Sequence, residues 1–177
     1  MKKLWSKNSK TVLNKAVEAY TIGNDYILDR ELIPFDIQGS MAHAKMLKSI
    51  GILSEPELKK LLTGLTQLLK EWKKGEFKID PELEDGHSAI EFYLTEKYGK
   101  VGKKIHTGRS RNDQILVTLR LYARHSLGEL VKSVEKILQT FKKKVRQFGA
   151  ITMPGYTHMQ RAMPSSVGMW LGSYAES

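Results

Sequence analysis

Leu127-Gly128-Glu129-Leu130-Val131-Lys132-Ser133-Val134-Glu135-Lys136-Ile137-Leu138-Gln139-Thr140-Phe141-Lys142-Lys143-Lys144-Val145-Arg146-Gln147-Phe148 is the stretch that decides the fold class. Leu127, Leu130, Val134, Ile137, Phe141, Val145 and Phe148 recur at steps of three and four, so they share one face of an α-helix, with lysines on the other. Gly128 is a weak point but does not interrupt the pattern, which extends back to about Asn112. Roughly 35 residues at 1.5 Å each make a rod of about 50 Å. A compact chain of this size has a radius of gyration of only about 16 Å, so such a rod calls for bundle partners from further chain or from other subunits.

Upstream, the pattern stays helical but the pieces shorten. Ser54-Glu55-Pro56-Glu57 reads as a capping box with proline in the first turn, where its missing N–H costs little. Leu58, Leu61, Leu62, Leu65, Leu68, Leu69 and Trp72 then form one apolar stripe that Gly75 ends. An earlier stripe of Ile37, Met41, Ala44, Leu47 and Ile50 stops at Gly51, and a third helix runs from near Asp85 to Gly99. Met41 and Met46 are read as core, since methionine fills gaps between helices. The expected architecture is all-α: a small N-terminal helical domain over residues 1–110, then the start of a long helical bundle over residues 111–177. No internal repeat or low-complexity segment appears.

Composition narrows the class. The 177 residues contain no cysteine, which excludes a disulfide framework and thiol chemistry and suits a reducing compartment. No apolar run approaches the ~20 residues that span a bilayer, and Met1-Lys2-Lys3-Leu4-Trp5 is not followed by a signal-peptide core. The expectation is a cytoplasmic protein with no membrane partner. A formal charge of +10 raises nucleic-acid binding as an alternative. Lys59, Lys60, Lys70, Lys73, Lys74, Lys142, Lys143 and Lys144 lie on polar helix faces, however, where they solvate the protein. Zinc-finger spacing and RNA-binding aromatic platforms are lacking, so no nucleic-acid partner is expected.

Two short stretches carry the chemistry. In Thr107-Gly108-Arg109-Ser110-Arg111-Asn112-Asp113-Gln114, Gly108 permits backbone geometry that lets N–H groups converge at the start of the long helix. Arg109 and Arg111 add forked donors suited to a carboxylate or phosphate. An ordinary helix start capped by Ser110 or Asn112 is the plainer alternative. In Gly155-Tyr156-Thr157-His158-Met159-Gln160, Pro154 stops any helix and Gly155 allows a tight turn that presents His158 as an acid/base. The other histidines are His43, His87, His106 and His125, the last within a helical run and read as structural. No two histidines are spaced i, i+4 with Glu between them, so neither metal nor other cofactor is expected.

Both stretches resemble the signature segments of the argininosuccinate lyase family, in the fumarase/aspartase superfamily. Asp36-Ile37-Gln38-Gly39-Ser40-Met41-Ala42-His43-Ala44 is similar to that family's substrate-contacting Gly-Ser segment. Glu84-Asp85-Gly86-His87-Ser88-Ala89-Ile90-Glu91 is similar to its acidic-His segment. The resemblance runs from about residue 25 to the last residue, and the Thr-Gly-Arg-Ser-Arg-Asn-Asp run is its most specific part. Two departures stand out. The family often opens with Trp-Gly-Gly-Arg-Phe, whereas Trp5 is followed by Ser6-Lys7-Asn8. The superfamily's mobile Gly-Ser-Ser-x-Met-Pro-x-Lys-x-Asn-Pro loop, with its catalytic serine, does not occur. The chain therefore resembles the N-terminal part of a larger, fumarase/aspartase-like enzyme.

The resemblance implies a reversible β-elimination that splits argininosuccinate into arginine and fumarate in arginine biosynthesis. It implies a homotetramer whose bundles share a core, with each site built from three subunits. His158 is then the acid/base, and Ser40, Asn112 and Thr157 contact substrate. His87 binds or orients it, and Arg109 and Arg111 bind the anion or hold the loop that does. The 177 residues alone are expected to be inactive. The alternatives are a noncatalytic crystallin-like protein on the same fold and a basic helical nucleic-acid binder.

Overall fold

Punctuation by glycine and by helix caps yields the longer helices that the sequence suggests, while short helical turns and a hairpin near the C-terminal end were not read from it. The computed structural model describes residues 17, 20, 23–80 and 83–177; the features read at Met1–Trp5 and Trp5–Asn8 lie outside the described residues. Two compact units are formed, one ending at Ala123 and the other spanning Arg124–Ser177.

In the first unit, a short helix α1 (Asp25–Leu28) and a 3₁₀ turn (Asp29–Glu31) lead into α2 (Ile33–Ser49), which has proline in its first turn. Helix α3 (Glu55–Lys73) starts at the capping box: Ser54 N–H donates to Glu57 Oε2 at 2.9 Å. Helix α4 (Gly86–Tyr98) is capped by Asp85, whose Oδ1 accepts from Ser88 N–H at 2.7 Å. A short α5 (Lys100–Lys103) and a 3₁₀ turn (Lys104–His106) carry the chain to α6 (Arg111–Phe148).

The core of this unit lies where the apolar stripes of α2, α3 and α4 meet. Leu61, Leu65, Leu68, Ala44 and Leu94 are fully buried, joined by Ile33, Ile37, Leu47, Ile90 and Ile105. Each such large side chain contributes about 1.5–3 kcal/mol when removed from water. Leu62, Leu69, Trp72 and Met41 pack around the edge. Two sequence expectations are corrected. Ile50 is exposed because it follows the last turn of α2, and Met46 is exposed beside Ala42 and Val117 at a cleft instead of in the core.

Gly102 marks the tightest backbone approach: a Cβ there would sit 2.2 Å from the Leu94 carbonyl oxygen. Backbone cannot yield as a flexible side chain can. Gly102→Ala should therefore lower stability by about 1–3 kcal/mol or more, read as a lower urea midpoint at unchanged slope.

Helix α6 has 38 residues, about 57 Å at 1.5 Å per residue. Its later stripe lies in the second unit, where Leu127, Leu130, Val134 and Ile137 remain 55–60% exposed. After α6 comes the antiparallel hairpin of β1 (Thr152–Thr157) and β2 (Gln160–Ser166), followed by α7 (Val167–Glu176). The fold remains predominantly helical, with this small sheet added. The base of the hairpin is closed by Val167 N–H to Ile151 O at 3.0 Å and Gly168 N–H to Gly149 O at 3.2 Å. A Cβ on Gly168 would meet Gly149 O at 2.9 Å, so only glycine allows this approach. Helix α7 packs by stacking Tyr174 on Phe141, ring centroids 5.8 Å apart.

Candidate functional site

Helix α2 places two polar residues, Asp36 and Ser40, one turn apart on its otherwise apolar face. Both are buried, at 6% and 0% exposure, so each must find a partner. Ser40 Oγ donates to Asp36 Oδ1 at 3.1 Å. The Gln114 amide, buried at the start of α6, donates to the same oxygen at 2.5 Å. Arg109 reaches in from the Thr107–Gln114 segment, and its Nη2 donates to Ser40 Oγ at 3.3 Å. Burial raises the Asp36 pKa, opposed by the Gln114 hydrogen bond and by the nearby His87, Arg109 and Ser40. The Gly-Ser segment and the Thr-Gly-Arg-Ser-Arg-Asn-Asp segment are thus one hydrogen-bonded structure.

Three histidines surround this network. The His87 and His106 rings lie 4.0 Å apart between centroids, and His106 Nδ1 is 3.5 Å from Arg109 Nη2. His106 Nε2 is 3.2 Å from Glu91 Oε2 but outside hydrogen-bond geometry. His43 Nε2 lies 3.1 Å from the Thr107 carbonyl. Burial is the main cause that lowers the pKa of all three histidines, and it brings His106 to about 3. Burial also raises Glu91 and lowers Arg109.

The folded-state histidine pKa values lie below the unfolded value near 6.5, which sets a pH dependence. Above that value the histidines are neutral in both states and the fold keeps its full stability. As pH falls from about 6.5 towards 3, the unfolded chain takes up protons that buried His106 refuses. Urea midpoints should therefore change little from pH 7.5 to about 6.5 and fall from there to pH 5, and His106→Asn should flatten that fall.

Arg111 takes a different part. Its guanidinium pairs with the buried carboxylate of Asp85, the cap of α4, and so ties the start of α6 to the acidic-His segment. Ser110 caps α6: its Oγ accepts from Asn112 N–H at 3.2 Å. The Arg109 N–H donates to His106 O at 3.2 Å. Two of the N–H groups expected to converge on a ligand are therefore used within the protein. Gly108 adopts φ 66° as expected, and the Asn112 side chain is exposed. Gly39, His43, Gly108, Arg109, Asp113 and Gln114 help line a cleft of about 470 Å³ against this network.

Thr157 and His158 belong to the second unit, on the hairpin. Thr157 pairs with Gln160, which makes His158 and Met159 a two-residue turn with φ 50° and 62°. Positive φ at both positions matches the twist that such hairpins require, although neither residue is glycine. The tight turn expected at Gly155 is thereby corrected. Gly155 lies within β1 at a register shift between Pro154 and Tyr156, where a Cβ would stand 2.9 Å from Met163 O. Thr157 and His158 are both exposed, as is His125 on α6.

Ser40, His87 and Arg109 therefore share one buried cluster, with Arg111 bound to its edge through Asp85. Asp36, His43, Glu91, His106 and Gln114 were not assigned roles from sequence. Asp36 and Gln114 do leave a trace there, as polar residues on buried helix faces that repeat at i, i+4 with Ser40 and Thr118.

Comparison with known proteins gives this cluster its context. A family model described as Lyase matches residues 11–177. The chain is 46% identical over 175 residues to the argininosuccinate lyase of Bacteroides fragilis, covering 99% of this chain and 39% of that enzyme. It is 41% identical over 175 residues to that of Thermotoga neapolitana, covering 99% and 44%. Among solved structures, an EDDS lyase in complex with formate superposes with a TM-score of 0.72 at 28% identity, over 90% of this chain and 31% of that one. A fumarate lyase:delta crystallin from Brucella melitensis shares the fold, with a TM-score of 0.73 at 17% identity over 92% and 42%. The chain thus spans about two fifths of the length of the curated relatives it matches. With a match that runs through all four signature segments, three of which build the cluster, the chain belongs to the lyase family.

Proposed function

We infer that this chain supplies part of the active site of an argininosuccinate lyase, which cleaves argininosuccinate to arginine and fumarate. The observation that carries the reading is the bond network joining Ser40 to Arg109, through which two signature segments meet around a buried carboxylate. The relatives at 46% and 41% identity support the substrate, and the formate-bound relative fits a site for small carboxylates.

The elimination begins when a base takes a proton from the carbon beside a substrate carboxylate. The electron pair spreads into that carboxylate, then forms the carbon–carbon double bond as the C–N bond breaks. The guanidino nitrogen leaves with a proton from an acid. The doubly negative carboxylate needs fixed donors, and losing one such donor costs about 10²–10³ in rate. Ser40, Asn112 and Thr157 are the substrate contacts in this reading, and His158 is the acid/base. Arg109 acts through Ser40, and Arg111 through Asp85. His87, packed on His106, orients the cluster. The exposed apolar stripe of α6 supports assembly with further helices, and the homotetramer is what the family resemblance implies. The cytoplasmic location that a cysteine-free sequence permits belongs to the same reading.

The test is a chimera in which this chain is joined to the part of the Bacteroides fragilis enzyme outside the aligned 175 residues. It should release fumarate from argininosuccinate. A folded, assembled chimera without turnover would overturn the reading and favour a noncatalytic role.

A further inference from the structure

Helix α4 carries His87 and Glu91 one turn apart, and the 3₁₀ turn Lys104–His106 brings His106 against them. One ring nitrogen of each histidine and one carboxylate oxygen of Glu91 all lie within 4.8 Å of one another. The three side chains are half-buried, not exposed. His87 Nδ1 and His106 Nε2 are both buried without a hydrogen-bond partner. Each imidazole of the cluster thus carries an unpartnered ring nitrogen, and the cluster also holds a carboxylate, a donor set that suits a cation.

We propose that His87, Glu91 and His106 form a binding site for one divalent cation of the zinc class, with a water in the remaining position. Zinc–nitrogen and zinc–oxygen bonds of about 2.0–2.2 Å in a tetrahedron place ligand atoms about 3.3–3.6 Å apart. The 3.2 Å separation of His106 Nε2 and Glu91 Oε2 already suits that geometry. The remaining separations lie within 4.8 Å, so the ligand atoms must draw together as the ion binds. Two imidazoles and one carboxylate favour zinc, cobalt or nickel over magnesium or calcium, which select all-oxygen shells. Burial favours the neutral form of both histidines, which is the form that binds metal.

The surrounding charge is mixed rather than forbidding. The carboxylates of Asp36 and Asp29 act on His87, against the guanidinium of Arg109, while Lys103 faces Glu91. Arg109 Nη2 stands closer to Ser40 Oγ, at 3.3 Å, than to His106 Nδ1, at 3.5 Å. A cation on His106 Nε2 leaves the imidazole proton on Nδ1, where it repels the guanidinium. The metal and the Arg109–His106 contact therefore exclude each other, and loading the site moves Arg109 fully onto Ser40. This proposal does not depend on the lyase reading.

Titrating the metal-free chimera with the Bacteroides fragilis enzyme with Co²⁺ tests the site directly, because the 177 residues by themselves are expected to self-associate. One Co²⁺ per chain should bind with the visible absorption of a four-coordinate ion, and Zn²⁺ should displace it. Glu91→Gln, which keeps the side-chain shape, should weaken binding by at least about a hundredfold, the most that losing an outer-shell partner alone would cost. His106→Asn should do the same, with far-UV circular dichroism reporting whether each variant keeps its helices. His125→Asn, exposed and outside the cluster, should change nothing. Absence of one-to-one Co²⁺ binding overturns the proposal, as does binding that folded Glu91→Gln leaves within about twofold.

Discussion

His158→Asn in the chimeric lyase removes most turnover, by about 10²–10⁴-fold, and leaves a measurable affinity for argininosuccinate. Asparagine is the informative replacement because it accepts the left-handed backbone conformation found at this position, φ 50°, better than most residues. The hairpin should therefore persist while the titratable group is lost. The side chain is exposed at the tip of a turn, so its removal opens no core cavity. A loss confined to turnover marks proton transfer, whereas a parallel loss of affinity marks a binding role. A variant with the parent rate and pH profile would leave His158 without a chemical part.

The second large effect concerns the 177 residues expressed by themselves, which should self-associate and release no fumarate. Leu127, Leu130, Val134 and Ile137 all show more than half of their surface to water along one helix face. Met169, Trp170 and Tyr174 of α7 are also more than half exposed. At about 1.5–3 kcal/mol for each side chain that becomes fully buried, covering such a face is strongly favoured. The second half of the expectation rests on chemistry. No segment here resembles the serine loop, and groups that act as a unit fail together when one is missing. Sedimentation velocity and a fumarate assay measure both parts. Clear turnover by a well-behaved monomer would contradict each of them.

The helices were legible because local chemistry determines them. Ser54 and Glu57 form the capping box that their spacing suggests, and Leu58, Leu61, Leu65 and Leu68 are buried as their period requires. Helix α6 begins at Arg111, one residue before its expected start, and ends at Phe148. The hairpin was hidden for equally local reasons. Pro154 and Pro164 interrupt both strands, apolar alternation is absent, and the turn is His158-Met159 instead of the usual Asn-Gly. The buried cluster was only half visible. Arg109 was legible as a forked donor beside Gly108, and Ser40 and His87 came from resemblance, but the bonds of the cluster link residues far apart in sequence. Gln114 lies 78 positions from Asp36, and Arg109 lies 69 from Ser40, separations that no periodicity reports.

The glycine contact at the base of the hairpin has a consequence for how costly it is to present His158. A flexible excursion from Thr152 to Ser166 would sample many conformations, and a ligand would have to freeze them out on arrival. Here Gly149 and Gly168 touch through their backbones, so both ends of the excursion are fastened together. The entropy of closing that loop is surrendered once, when the protein folds, so in the proposed reaction a substrate meeting His158 would not have to supply it.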